Sequence, residues 1–111
     1  MVLNGNHELM NAAGDFRYVS AGGFRGFDDL DGLALDAAVP AIARHRAAAL
    51  APGGPYTRPL ADRAVVAILG DTVFSHAGVL GGWAARLDEV NDTSRCWLAG
   101  HAAGLPPALT A

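Results

Sequence analysis

Three polar side chains stand next to one another near the start of the sequence, at Asn6, His7 and Glu8. An amide oxygen and an imidazole nitrogen are ligands that divalent metals accept, and an imidazole also transfers protons. Gly5, directly before them, permits a sharp change in backbone direction. The group suits a site in which a metal-bound hydroxide attacks a phosphate ester. Asn6 would then be a metal ligand, His7 the proton donor to the leaving oxygen, and Glu8 a brace for the loop.

A second candidate metal ligand, His76, lies far along the chain, directly after residues 72–75. Residues 64–69 are predicted to form a buried strand, and residues 72–75 its hairpin partner. Residues 1–3 are predicted to be the end of another buried strand. Because ligands collect at strand ends in α/β proteins, we expect Asn6, His7 and His76 at one edge of one sheet.

The remaining pattern supplies helices around these strands, so the fold class is predicted to be α/β. Gly14, Gly100 and the loop at residues 52–55 are expected to interrupt regular structure. A brief extended stretch is predicted at residues 16–19. Helices are predicted at residues 8–13, 28–39, 40–51 and 83–98.

Composition limits the classes of function. The chain has 111 residues, 51% of them apolar, which suits one small domain and not a disordered tail. A net charge of −3 gives no electrostatic case for nucleic acid or an anionic membrane. The single cysteine, Cys96, excludes an internal disulfide and is predicted to lie buried on a helix. No signal peptide or membrane span is recognisable in the sequence.

Several segments carry a family resemblance. Residues 3–8 resemble the Gly-Asn-His-Glu motif of the calcineurin-like metallophosphoesterases, which include the phosphoprotein phosphatases. Residues 74–79 resemble the later strand of that family ending in His-Gly-Gly, with Ala77 in place of the first glycine. Residues 10–19 are similar to the Shewanella-like protein phosphatase branch. So are residues 52–56 and 70–74, and the resemblance extends from Val2 to about Trp97.

The resemblance implies a partial metallophosphoesterase sandwich of mixed β-sheets flanked by helices, lacking N-terminal and C-terminal parts. Residues 1–100 would be the central part of that domain and residues 101–111 an irregular tail. Asn6 and His76 would ligate one of two divalent ions (Mn, Fe or Zn), and His7 would be the general acid. Arg58 is carried over as a substrate-binding residue. The expected substrate is a phosphoprotein, phosphorylated on Ser/Thr or Tyr.

The chain also departs from the family pattern. It lacks the Asp-x-His and Gly-Asp-x-x-Asp-Arg-Gly segments that complete the metal site, which would precede residue 1. Gly100-His101 fits a later ligand motif only superficially, because no strand leads into it. We therefore expect at most a partial metal site, no activity from the 111-residue chain alone, and poor solubility from unpaired strand edges.

Three questions stay open at this point. The chain could belong to a metallophosphoesterase acting on dinucleotides or other small phosphate esters, or it could be a non-catalytic remnant or truncated gene product. Asp15 and Arg17 could brace the metal loop or form an ordinary surface pair. The compartment is undetermined, with cytoplasm and plastid both compatible with the resemblance.

Overall fold

The computed structural model describes residues 1–109, and its regular structure is mostly short helices around one hairpin. Within these residues the strands form a single two-stranded antiparallel sheet, so the α/β class is confirmed as a partial domain. The helices are α1 (Asn6–Ala12), α2 (Ala21–Phe24), α3 (Arg44–Leu50), α4 (Arg58–Ala61) and α5 (Leu87–Leu98). The strands are β1 (Val66–Leu69) and β2 (Thr72–Ser75). Turns of 3₁₀ helix span Ala41–Ala43, Gly81–Trp83 and Pro107–Leu109.

The hairpin forms where the sequence predicts it. Leu69 pairs with Thr72 across the intervening Gly70-Asp71 loop, and Gly70 adopts the positive φ of 63° that such a tight loop favours. Its predicted burial is wrong, however. Val66 is 3% exposed, whereas Ile68 is 57% exposed, because only the start of β1 (its root, at Val66) packs against a helix.

Helix α5 organises the core, as its amphipathic pattern predicts. Its buried stripe comprises Leu87, Val90, Ser94, Trp97 and Leu98. The C-terminal half of this stripe packs against α1 and α4, and the N-terminal half packs against the root of β1. Cys96 lies on the exposed side of the same helix, so its predicted burial is wrong.

One side chain of α5 also takes the place of a neighbouring strand at the root of β1. The Asn91 Oδ1 atom accepts hydrogen bonds from the Val65 and Val66 amides, at 3.0 and 3.2 Å. Its Nδ2 donates to the Val66 carbonyl oxygen at 2.8 Å. The backbone polar groups of this buried position are thereby satisfied without a third strand.

Three predicted elements are wrong. Residues 1–3 form no strand. The adjacent Asn4 amide donates a single backbone hydrogen bond to the Ala64 carbonyl oxygen, just before β1. Residues 16–19 form a turn, closed by a hydrogen bond from Val19 to Phe16. Residues 28–39 contain turns and no helix, because the segment is largely exposed and Gly32 takes a positive φ of 77°.

Other predicted boundaries are confirmed. α1 ends before Gly14, and α5 ends before Gly100, both at positive φ. Of the tail predicted to be irregular, residues 101–106 have no helix or strand, Pro107–Leu109 form a 3₁₀ turn, and residues 110 and 111 lie outside the described residues. Over residues 1–109, no helix has the length and apolar character needed to cross a membrane.

Candidate functional site

The motif around Asn6 is held in place by Asn4, which is 1% exposed. The Asn4 Nδ2 group donates to the carbonyl oxygens of Leu60 and Arg63, at 2.8 and 3.0 Å. Its backbone amide donates to the Ala64 carbonyl oxygen at 2.9 Å. Three hydrogen bonds from one residue therefore fix the start of the motif to the segment that leads into β1.

Glu8 closes the loop from the other side, as predicted. Its Oε2 atom accepts a hydrogen bond from the Gly5 amide at 2.7 Å. That amide precedes the first turn of α1, where backbone N–H groups have no partner within the helix. Glu8 therefore stabilises both the helix start and the conformation of the loop.

Asn6 and His76 line the same cleft, which has a volume of about 590 Å³. Asn6 is the first residue of α1, and His76 directly follows β2. The His76 ring packs on the backbone of Gly5: a Cβ atom at Gly5 would lie 2.9 Å from His76 Cγ, which real side chains do not tolerate. The loop before α1 and the end of β2 are therefore in contact, which depends on glycine at position 5, but they do not share a sheet edge as expected, because residues 1–3 form no strand.

His7 and Arg58 are not among the residues that line this cleft. His7 is exposed, and its ring lies 5.9 Å from that of Tyr18, centroid to centroid. The Arg58 Nε group donates to the Gly53 carbonyl oxygen at 2.8 Å. Two of the four residues singled out from the sequence, Asn6 and His76, thus line one cleft, and the roles assigned to all four stay predictions.

An ion pair that the sequence left ambiguous also lines the cleft. The Arg17 Nε and Nη2 groups donate to the two carboxylate oxygens of Asp15, at 3.0 and 2.8 Å. These hydrogen bonds lower the pKa of the Asp15 carboxyl and raise that of Arg17, so both groups stay charged. The available sequence signal was the close spacing of acid and arginine, directly after the glycine that ends α1.

The rest of the cleft is largely apolar. Its wall includes Val66, Leu87 and Val90, the cluster that joins β1 to α5. Further apolar side chains on its surface are Met10, Val79, Leu80 and Trp83. Polar groups are therefore concentrated on the side formed by α1, the turn after it and the end of β2.

The donor types of Asn6 and His76 are compatible with part of the metal site expected from the sequence. Asn6 and His76 offer an oxygen and a nitrogen donor, which suit Mn, Fe or Zn. Among residues 1–109, no three His, Cys, Asp or Glu side chains are grouped so as to hold a metal ion. A two-metal centre needs more ligands than this pair, including a group that bridges the ions, so the described residues do not fit a complete centre.

The sequence is similar to two curated proteins. It is 31% identical to Shewanella-like protein phosphatase 2 of Arabidopsis thaliana over 137 positions, covering 94% of this chain and 34% of that protein. It is 37% identical over 90 positions to an uncharacterized protein of Acanthamoeba polyphaga mimivirus, covering 80% of this chain and 34% of the viral protein. The chain thus spans about a third of the length of these relatives. No protein-family model and no solved structure matches it.

Proposed function

We propose that this chain is part of a metal-dependent phosphatase of the Shewanella-like, calcineurin-like type. Asn6 and His76 would be ligands of one divalent ion, and the substrate would be a phosphate monoester, on a phosphoprotein. The observation that carries the proposal is the shared cleft of Asn6 and His76, with Gly5 between them. The similarity to a plant protein phosphatase supports the reaction class.

Each residue has a distinct proposed task. The Asn6 amide oxygen and a His76 ring nitrogen would hold the ion, which supplies charge neutralisation at the phosphate when it is bound. His7 follows Asn6 on α1 and would donate a proton to the leaving oxygen. Because His7 contacts Tyr18 and lies outside the cleft, the leaving group would extend past the rim of the cleft toward Tyr18.

A pair of ligands binds an ion weakly, so the direct test is metal binding and not turnover. Mn²⁺ is titrated into the purified chain, and paramagnetic broadening of backbone amide signals is followed by NMR. We expect broadening centred on Asn6 and His76, and an apparent affinity reduced by about tenfold or more in Asn6→Ala and in His76→Ala. His101→Ala, which removes an exposed histidine outside the cleft, should bind like the original chain. Unchanged affinity in both ligand variants would refute the proposed metal site.

A second variant tests geometry without removing a ligand. In Gly5→Ala the added methyl group would collide with His76 Cγ, so the imidazole must move. We expect a shifted His76 ring signal and weaker Mn²⁺ binding. Gly22→Ala is the matched control, because a Cβ there meets no atom within 4 Å. Equal Mn²⁺ binding by the Gly5→Ala variant would mean that the position of His76 does not matter.

Catalysis by the 111-residue chain itself is expected to be absent, since residues 1–109 provide one pair of ligands and no complete two-metal centre. The measurement is Mn²⁺-dependent hydrolysis of an aryl phosphate, with Mn²⁺ alone as the blank. Activity above the blank that disappears in Asn6→Ala and His76→Ala would overturn this expectation.

A further inference from the structure

We propose that Arg17 is an oxyanion-binding residue of the cleft and that Asp15 positions it to contact the phosphate group of the substrate. This inference rests on the proposed phosphatase function and adds a residue to it. It follows from where the turn after α1 places the two side chains, and from how the guanidinium is held.

The backbone after α1 folds back toward the cleft. Gly14 adopts a positive φ of 78°, and the Asp15 amide donates to the Met10 carbonyl oxygen at 2.8 Å. This turn brings Asp15 and Arg17 to the same cleft as Asn6 and His76. Among the described residues that line the cleft, Arg17 is the single arginine and none is lysine.

The Asp15 carboxylate holds one edge of the Arg17 guanidinium, and the Arg17 side chain is largely exposed. Asp15 engages Nε and Nη2 of Arg17, and its Oδ1 also accepts from the Arg17 backbone amide at 3.3 Å. The Tyr18 side chain also interacts with the Arg17 guanidinium. The Arg17 side chain is 66% exposed and that of Asp15 is 33% exposed, so the guanidinium is the more accessible partner. A planar guanidinium held in this way can present its remaining N–H groups to two oxygens of a phosphate.

The two arginines that sequence reasoning considered near the site differ in this respect. Arg58 donates to the Gly53 carbonyl oxygen and lies outside the lining of the cleft, whereas Arg17 lies in it. A phosphate monoester carries up to two negative charges, and a largely apolar cleft offers little else to balance them. Arg17 is therefore the described side chain best placed to attract the anion before or beside a metal.

The probe is inorganic phosphate, titrated into the metal-free chain and followed by ¹H–¹⁵N NMR. We expect saturable shifts in the amides of residues 14–18 and of His76, and about tenfold weaker binding in Arg17→Ala. Arg17→Lys keeps the positive charge but loses the planar, two-pronged guanidinium. Its phosphate affinity should therefore lie between those of the original chain and Arg17→Ala. Arg25→Ala is the matched control, an exposed arginine that does not line the cleft.

Asp15→Asn distinguishes two roles of Asp15: orienting the Arg17 guanidinium, or only neutralising its charge. Removing a negative charge beside an anion site should strengthen phosphate binding if Asp15 only neutralises Arg17. If Asp15 orients the guanidinium, binding should weaken severalfold despite the charge gained. A tighter complex in Asp15→Asn would therefore refute the positioning role.

The outcomes separate this inference from the proposed function. Phosphate binding that is lost in Arg17→Ala, in a chain that shows no Mn²⁺ binding, would support the anion site and refute the metal site. Mn²⁺ binding at Asn6 and His76, with phosphate binding equal in Arg17→Ala and Arg25→Ala, would refute the anion site alone. The Gly5 amide donates a hydrogen bond to Glu8 Oε2, so an unchanged Gly5 amide signal verifies that the site is folded in each of these variants.

Discussion

Two regions of this molecule carry large apolar side chains and differ in how far those side chains are buried. The helical base, formed where Trp97 and Leu98 of α5 pack against α1 and α4, is 0 to 6% exposed at its central side chains. The hairpin of β1 and β2 carries Ile68, Leu69, Val73 and Phe74, which are 44 to 57% exposed. The helical base is covered by elements of the described chain, and the outer part of the hairpin is not.

The hairpin is apolar on both of its faces. Ile68 and Val73 pair directly and share one face, while Leu69 and Phe74 lie on the other. Strands with two apolar faces are typical of sheets covered on both sides. The candidate site lies at the boundary between the two regions, because Asn4 connects the motif to the segment before β1 and His76 directly follows β2.

Truncation of one aromatic side chain in each region tests this difference in burial most directly. Trp97→Ala, which removes a side chain only 3% exposed, should lower the free energy of unfolding by about 3–5 kcal/mol. Phe74→Ala, at 44% exposure, should lower it by no more than about 1 kcal/mol. Urea denaturation followed by circular dichroism measures both, and similar losses would mean that the hairpin is covered in solution.

A smaller effect is expected from the two asparagines of the motif, of which Asn4 is buried and Asn6, the proposed metal ligand, is exposed. Asn4→Ala leaves the carbonyl oxygens of Leu60 and Arg63 without their donor, and should cost about 1–3 kcal/mol. Asn6→Ala changes an exposed residue and should alter stability by less than about 0.5 kcal/mol. The same urea measurement tests this, and an equal cost at both positions would contradict this difference.

The exposed hairpin should promote self-association, in line with the poor solubility expected from its unpaired edges. A lysine in an edge strand opposes strand addition. Val73→Lys should therefore lower the associated fraction severalfold at the same concentration, as measured by sedimentation velocity. Val2→Lys is the matched control, since Val2 is also exposed but lies outside the hairpin. A monomeric original chain, or equal effects of both variants, would show that the hairpin does not drive association.

The smallest effect is the pH dependence of the surface ion pairs. Hydrogen bonds from Arg17 and Arg86 lower the pKa values of the Asp15 and Glu89 carboxyls. A lowered folded-state pKa contributes stability that is present above the unfolded-state pKa and lost as pH falls through the folded value. Thermal stability should thus decline slightly in the acid range below the ordinary carboxyl pKa. The double variant Asp15→Asn/Glu89→Gln should lose less thermal stability as the pH falls. Melting temperatures with the same pH dependence in both proteins would show that these two ion pairs do not contribute.

Local signals account for the elements that sequence reasoning predicted well. Gly14, Gly70 and Gly100 each sit where the backbone needs a positive φ, so the ends of α1 and α5 and the hairpin loop were recognisable. The helix expected at residues 28–39 does not form. The segment has capping residues at its start, but it is largely exposed and has no apolar face packed against another element to stabilise a helix. The predicted burial of residues 64–69 was wrong, because a run of apolar residues indicates a strand but does not show whether another element packs on it.

The amide and imidazole groups of Asn6, His7 and His76, and the short elements near them, could be recognised from residue types and local patterns. Tertiary structure decided which of these groups meet. It packed His76 on Gly5, placed Arg17 in the cleft and left Arg58 outside it. The physical reason is that backbone preferences act over a few residues, whereas these placements depend on close packing between segments far apart in the chain.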